Sequence, residues 1–559
     1  MPTDFSKLYN AFAADGFLIK KRVYTASGKL GVVAEHVSAT NYGTGLKKLS
    51  YYLEGTPYER GYLLGLLAEP SVADMAVSFV DNIVFDFLGL EFLNRFPPLQ
   101  KLLVALIQEL SEDAWASQPR HVRDEARGLL DGCRKANPST PVTQARIGIM
   151  NVGFDVLCAL FYTGDMLRKR APQLKPEHIR LAMMCNAFSV FGDAAGGGHY
   201  FGRDFTFATG DTLHNHLAHI IHHPQSVGGE TVYPHVSVAA PGIIGSVSAM
   251  NLSGVAAGLD MSPAACCDTK HTGFNSLLLL RECIMCGDTA AKAADIIVGA
   301  RRGVSWNYVL SDGGTDTACT VEAGAAWPTI DFLSYPAKEL LPVLPDAQYL
   351  SMHQPVPLKN GAMVRWYNGD FPDSYLGFND GLWQHYQKTR DPHIRLYPNA
   401  FLPDGFINRT PEEKNCPSSF YFAPQRAEAN VFITTNHFLL PHMRLCAMDP
   451  WCAQVTQGKV NDIQWRYDEL NHQIREVLQA RGSIDYATAR RLIDFLAPYG
   501  RFPKYHQKSP KSTDGKTAQI GGCVSLFDLK ARTVESHYGY YADEWVKTTL
   551  PAYFNPTDA

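Results

Sequence analysis

No charge of either sign dominates this chain. Its 559 residues carry 51 Lys and Arg against 55 Asp and Glu, a formal charge of −4. So small a bias, with no block of like charge, predicts no nucleic-acid or membrane-surface partner. Long hydrophobic runs are missing too. The longest stretch without Asp, Glu, Lys or Arg, near Tyr233–Leu259, is broken by His235, Pro241 and Asn251. That pattern excludes a lipid-spanning helix there, and the stretch reads as buried strands joined by turns. The opening MPTDFSKLYNAFAADGF has no basic segment leading into an apolar one. No secretory signal is read, and a cytoplasmic location is expected.

Several catalytic signatures are absent as well. No Gly-x-Ser-x-Gly elbow sits between a strand and a helix. Gly196-Gly-Gly-His199 lacks the Lys-Ser/Thr of a nucleotide loop. The 12 cysteines are scattered, as in a reduced enzyme. Cys283 and Cys286 form one CxxC with no second pair, inside an expected helix, and read as packing residues. His214, His216, His219, His222 and His223 are dense enough for zinc, but without HExxH order or a nearby Cys or Glu. As a strand, Leu213, Leu217 and Ile221 would share one face, so a His-rich strand is expected instead. No metal and no cofactor is expected.

What is present suits a large folded core, since 46% of residues are hydrophobic. The first third reads as helical. Apolar residues recur at helical spacing after Glu59 and in 75–87, 99–110, 122–130 and 151–167. After about Leu181 the texture changes to short apolar runs rich in Gly, Val, Ser and Thr. Strands are expected at 187–191, 199–207, 213–222, 232–238, 245–251 and 254–258. A helical pair follows at 274–286 and 288–300, the second with Asp288-Thr289 at its cap. Strands resume at 306–310 and 317–322. Helices at 463–480 and 486–496 and a strand at 519–528 finish the chain. Residues 336–411 are rich in Pro and aromatics and read as loops. This order predicts an α+β fold with a composition boundary just before Cys185.

Cys185 opens the strand Cys185-Asn-Ala-Phe-Ser-Val-Phe. A Gly-rich turn leads to Gly202-Arg203-Asp204-Phe205-Thr206-Phe207. The two form a hairpin, and Arg203 is expected opposite Cys185, where a guanidinium raises the thiolate fraction. On its own a cysteine in a strand is usually a packing residue.

The ordered set of motifs resembles the penicillin acyltransferase-like family of the N-terminal-nucleophile superfamily. The choloylglycine hydrolase-like and phospholipase B-like families share much of it. The resemblance rests on Cys185-x-x-Phe188, the Gly202-Arg203 strand and Glu54–Gly65. It also rests on Glu125–Gly132, Ala249-Met-Asn251-Leu-Ser-Gly254, Ser276–Cys286 and Thr434-Thr-Asn436-His437-Phe438. It implies a four-layer αββα sandwich and a precursor that cuts itself between Met184 and Cys185. A helical piece, 1–184, would stay packed on 185–559. Cys185 would then be the catalytic nucleophile, its freed α-amine the base, and Arg203 the holder of the thiolate or of a substrate carboxylate. Asn251 and Asn436 resemble the oxyanion donors. The implied partner is a small-molecule acyl amide or ester. The implied chemistry is hydrolysis or acyl transfer through a Cys185 acyl-enzyme.

One departure is visible. The family strand carries a carboxylate where this chain has Thr206, and Asp204 stands at the family's Asn position, two residues earlier. Thr206 offers only a hydroxyl to the terminal amine. Two further readings stay open: an uncleaved, non-catalytic binding relative, and a metallohydrolase using the His cluster.

Overall fold

A computed structural model describes residues 5–41, 44–80, 97–170, 183–208, 212–226, 229, 231–262, 273–325, 360–367, 428–436, 438–439, 462–496, 520–539 and 544–554. After helix α1 (Phe5–Ala14) come three strands, β1 (Phe17–Tyr24), β2 (Leu30–Thr40) and β3 (Lys47–Gly55). The helical expectation for the first third fails over these residues. It holds in α2 (Pro57–Asp74), α3 (Pro97–Ala116), α4 (Arg120–Ala136) and α5 (Gln144–Arg170), and the expected run 75–87 lies outside the described residues beyond Val80.

The local chemistry at α2 explains the switch from strand to helix. Thr56 and Glu59 form a reciprocal capping box, and Pro57 takes the first turn, where its missing N–H costs nothing. The helix then packs side by side with α4 at very short range. A Cβ on Gly61 would lie 1.9 Å from the Glu125 carbonyl oxygen, and one on Gly128 would lie 2.0 Å from that of Tyr58. Only glycine allows two helix backbones to approach so closely. The run Pro57–Phe79 is, among the described residues, long and apolar enough to cross a membrane by length and composition. It also buries Arg60 and Glu69.

Beyond Cys185 the strands are β4 (Met183–Phe191), β5 (His199–Ala208), β6 (Ala218–Pro224), β7 (His235–Ala239), β8 (Ser248–Asn251) and β9 (Val255–Met261). Helices α7 (Ser276–Cys286) and α8 (Ala290–Gly299) follow, after a short α6 (Thr212–His216). Thr289 caps α8 through its hydroxyl, which accepts from Lys292 N. Next come β10 (Trp306–Asp312), β11 (Thr317–Ala323), β12 (Ala362–Trp366) and β13 (Val431–Thr435). The chain continues with α9 (Asp462–Arg481), α10 (Tyr486–Leu496), β14 (Ile520–Asp528), β15 (Thr533–Gly539) and β16 (Val546–Thr549). Apart from β12, the Pro-rich segment 336–411 lies almost wholly outside the described residues.

α6 corrects the expected strand 213–222. Leu213 and Leu217, four apart, are both buried; one helical turn accounts for them as well as alternation does. The strand begins only at Ala218.

The strands form two sheets. One has the order β1-β2-β3-β6-β7-β8-β9-β10-β11-β12, the other β13-β4-β5-β14-β15-β16. β3 pairs in parallel with β6, Ser50 opposite His219. Residues 1–184 therefore supply three strands to the larger sheet as well as helices.

The sheets meet face to face. Ser189 of β4 bonds Ser311 of β10 at 2.8 Å, and Thr434 of β13 bonds Thr320 of β11 at 2.6 Å. Alternation along β4 shows the two environments. Cys185, Ala187 and Phe191 join the core shared with the large sheet. Phe188 and Val190 join a second core with Leu470 and Ile474 of α9 and Leu492 and Ile493 of α10. Helices α7 and α8 pack against β8, β9, β10 and β11 of the large sheet. The class is α+β.

Candidate active site

Cys185 sits in the middle of a paired ladder. It lies opposite Phe205, while Ala187 lies opposite Arg203. Alternation puts Cys185, Phe205 and Arg203 on one face, so Arg203 is diagonal to the thiol rather than directly across from it. The thiol is 2% exposed. Burial pushes its pKa up; the Arg203 guanidinium pulls it down, and Asp260 and Asp204 push it up again. At rest it is a protonated thiol that needs a base before it can attack.

Arg203 runs across β9 because Gly258 leaves room. A Cβ on Gly258 would stand 2.2 Å from Arg203 Nε. The guanidinium Nη1 meets Asp260 Oδ1 at 2.9 Å, with both side chains fully buried. It also donates to the main-chain oxygens of Asn186 and Asp204. A buried ion pair gains when further hydrogen bonds satisfy its ions. These carbonyls hold Arg203 in place beside β4.

The Cys185 main-chain nitrogen donates to Asn436 Oδ1 at 2.8 Å. Asn436 Nδ2 donates to the Met261 carbonyl at 2.8 Å. Together these bonds fix which end of the amide is oxygen. They also leave Nδ2 aimed at Met261, whereas the sequence reading expected an oxyanion donor at Asn436.

Asp204 does not face the thiol. It is paired in register with Asn186, whose Nδ2 donates to Asp204 Oδ2 at 3.1 Å, on the reverse side of the sheet. Thr206 pairs with Met184, one step from Cys185; its side chain lies outside the described set.

Asn251 is placed elsewhere. Its Nδ2 donates to the carbonyls of Ile284 and Gly287, and its Oδ1 accepts from Val255 N. It therefore satisfies carbonyls left open at the C-terminal end of α7. Asn251 adjoins Val255, at the start of β9, while Asn436 touches Met261, at its end. Six residue steps along the strand separate the two ends, roughly 20 Å. The expected oxyanion role does not fit that position.

The sequence reading missed Asp260. The signal was a lone carboxylate in the otherwise apolar strand Val255-Ala-Ala-Gly-Leu-Asp-Met. Asp260 is in register with Asn307 of β10, which is in turn in register with Glu322 of β11. A row of three polar side chains thus crosses the large sheet near Cys185. His437 lies outside the described residues.

A hydroxyl–imidazole–carboxylate series lies apart from Cys185. Ser311 Oγ lies 2.7 Å from His199 Nε2, and His199 Nδ1 lies 3.1 Å from Asp316 Oδ1. Ser311 and His199 are fully buried and Ser311 also bonds Ser189. Its hydroxyl and imidazole tie the two sheets together from fully buried positions, and only Asp316 reaches the surface.

Four of the five clustered histidines divide among separate partners, and the His214 side chain lies outside the described set. His216 pairs with Asp74, His219 bonds Ser536 and Thr548, His222 stacks on His235, and His223 bonds Tyr52. Among the described residues no group of three or more His, Cys, Asp or Glu could hold a metal ion. Cys283 is buried within α7, its Sγ 3.1 Å from the Leu280 carbonyl.

Comparison with known proteins gives distant likenesses. No family model matches the chain. An uncharacterized protein of Archaeoglobus fulgidus is 25% identical over 512 residues, covering 91% of this chain and 66% of that protein. The chain thus spans just under two thirds of that relative's length. Among solved structures, two mutant forms of the conjugated bile acid hydrolase of Clostridium perfringens are similar at 10% and 12% identity. Each comparison covers 66% of this chain and 92% of that one, with TM-scores of 0.31 and 0.33.

Proposed function

We propose that this chain is a cysteine amide hydrolase or acyltransferase of the N-terminal-nucleophile kind, made as a precursor that cuts its own Met184–Cys185 bond. The observation that supports this most is the 2.8 Å bond from Cys185 N to Asn436 Oδ1, beside a buried Arg203–Asp260 pair. One residue then has both its thiol and its own nitrogen addressed by polar groups. That is the requirement of a nucleophile that is also its own base.

The chemistry follows in two stages. In the precursor, the Cys185 sulfur attacks the Met184 carbonyl carbon, the C–N bond breaks, and the nitrogen takes the thiol proton. Water hydrolyses the resulting thioester, leaving a Met184 carboxylate and a free Cys185 amine and thiol. In turnover, that amine, whose ordinary pKa is about 7.7–8.0, removes the thiol proton. The thiolate attacks the substrate carbonyl, the leaving amine receives the proton, and water or a second amine takes the acyl group from sulfur. Asn436 Oδ1 orients the amine. Arg203 lowers the cost of the thiolate, and Asp260 orients Arg203.

The facing sheets with helices on their outer sides support a four-layer αββα arrangement. The ordered motifs favour the penicillin acyltransferase-like branch, with a small-molecule N-acyl substrate. Phospholipase B-like ester hydrolysis is the neighbouring chemistry. A second reading, an uncut binding relative, is favoured by Thr206 at the carboxylate position and by the nearly complete burial of Cys185.

The test is intact mass after incubation with a panel of N-acyl amines. An acyl adduct on a chain that begins at Cys185 supports the enzyme. An unmodified single chain supports the relative.

A further inference from the structure

Asn436 follows β13, the edge strand of the smaller sheet. β13 is held by β4 from Val431 opposite Val190 to Thr435 opposite Asn186, and the ladder stops there. Asn436 is thus one residue past its last ladder partner. Side chains from the other sheet hold this segment on both sides of Asn436. Arg365 Nη2 donates to the Ile433 carbonyl at 2.8 Å and to Thr434 Oγ1 at 3.0 Å. Asn307 Nδ2 donates to the Thr435 carbonyl at 3.0 Å. Glu322 Oε1 accepts from Leu439 N at 2.9 Å. The two charged members also meet each other, Arg365 Nε to Glu322 Oε1 at 3.4 Å, both buried. The Arg365 guanidinium further lies over the Phe432 ring, 4.4 Å from its centroid.

We propose that Glu322 and Arg365 are positioning residues that set the Asn436 amide against the Cys185 nitrogen. The proposal rests on the nucleophile reading above. Arg365 grips the chain two and three residues before Asn436, and Glu322 grips it three residues after. Their mutual attraction closes the clasp, so the carbonyl that receives the Cys185 nitrogen is held without relying on the ladder. Preorganisation of this sort counts because small displacements of a catalytic group cost about 10²-fold in rate.

The experiment is the pH profile of Cys185 alkylation by iodoacetamide, read by peptide mass, in the full chain and three variants. Arg365→Lys keeps the charge but loses the double donation. Glu322→Ala loses both the charge and the Leu439 bond. Glu322→Gln keeps an oxygen to accept from Leu439. Arg365→Lys and Glu322→Ala should slow alkylation at pH 7 by about tenfold or more. They should match wild type at pH 10, where hydroxide forms the thiolate without the amine. Glu322→Gln should recover most of the pH 7 rate. Should Arg365→Lys not fold, Thr320→Val, which removes the bond to Thr434 and keeps the shape, should slow the pH 7 rate in the same direction. Wild-type rates at every pH would overturn the proposal. So would an equal slowing at pH 7 and pH 10, which marks lost packing. A wild-type chain with an intact Met184–Cys185 bond and an ordinary thiol profile would remove the nucleophile reading itself, and the clasp with it.

Discussion

Asn436 Oδ1 and the main-chain nitrogen of Cys185 are 2.8 Å apart, although 251 residues separate them in sequence. The bond joins the residue just past the edge strand of the smaller sheet to the strand that carries the thiol. Asn436→Ala removes the acceptor. Self-cutting in a time course on denaturing gels should slow by about 10²-fold, the usual effect of misplacing a reacting group. An unchanged time course would mean that Asn436 only packs.

Gly258→Ala tests the bed on which Arg203 lies. The added Cβ would stand 2.2 Å from Arg203 Nε, and both Arg203 and Asp260 are sealed between sheets. Overpacking of this kind costs about 1–3 kcal/mol. Urea unfolding should show that loss. Unchanged stability would place Arg203 elsewhere.

Asn251→Ala should be a stability variant, not a catalytic one. It strips two acceptors at the end of α7 of their donor and Val255 N of its acceptor. A loss of about 1–3 kcal/mol is expected from buried groups left unsatisfied. The alkylation rate of Cys185 should not change. A collapse in that rate with stability intact would restore Asn251 to the site.

Stability should fall in mild acid. Burial pushes His219 down to about 3, and burial with Arg281 nearby pushes His235 down to about 3. Burial pushes His199 down to about 4, against the pull of Asp316. Each is neutral in the fold and protonates near 6.5 when unfolded, so its contribution is full above that value and shrinks as pH falls below it. The slope is up to about 1.4 kcal/mol per pH unit for each histidine. Asp155 works the other way. Burial raises it to about 7, so its contribution is full below its unfolded value and is lost as pH rises through 7. Burial pushes His222 and His36 down in the same way and Asp15 up, so five histidines against two carboxyls leave a net fall between pH 6.5 and 4. A melting temperature that rises on acidification through that window would contradict this.

The later elements were largely legible because local pattern and tertiary demand agree there. The helix expected at 486–496 is Tyr486–Leu496, and α7, α8, β10 and β11 fall close to their expected places. β1 escaped because Phe17-Leu-Ile-Lys-Lys-Arg-Val-Tyr has charges where a half-buried strand would alternate; its place comes from pairing with β2. α6 escaped because a Leu pair four apart inside a His-rich run resembles a strand face. In the site, the hairpin of Cys185 and Arg203 was legible from the strand–turn–strand pattern, one pair off in register, while the role of Cys185 was reached through resemblance. Asn436 was reached only through resemblance, since no local signal links residues so far apart. Asp260 was overlooked because one carboxylate in a strand gains meaning only when Arg203 is seen across from it.

The most direct measurement is N-terminal sequencing joined to intact mass on purified wild type and Cys185→Ala. Wild type should give two associated pieces, one beginning at Cys185, and the variant a single uncut chain. Cutting at the same bond in Cys185→Ala would contradict this, and so would a wild-type chain that stays whole.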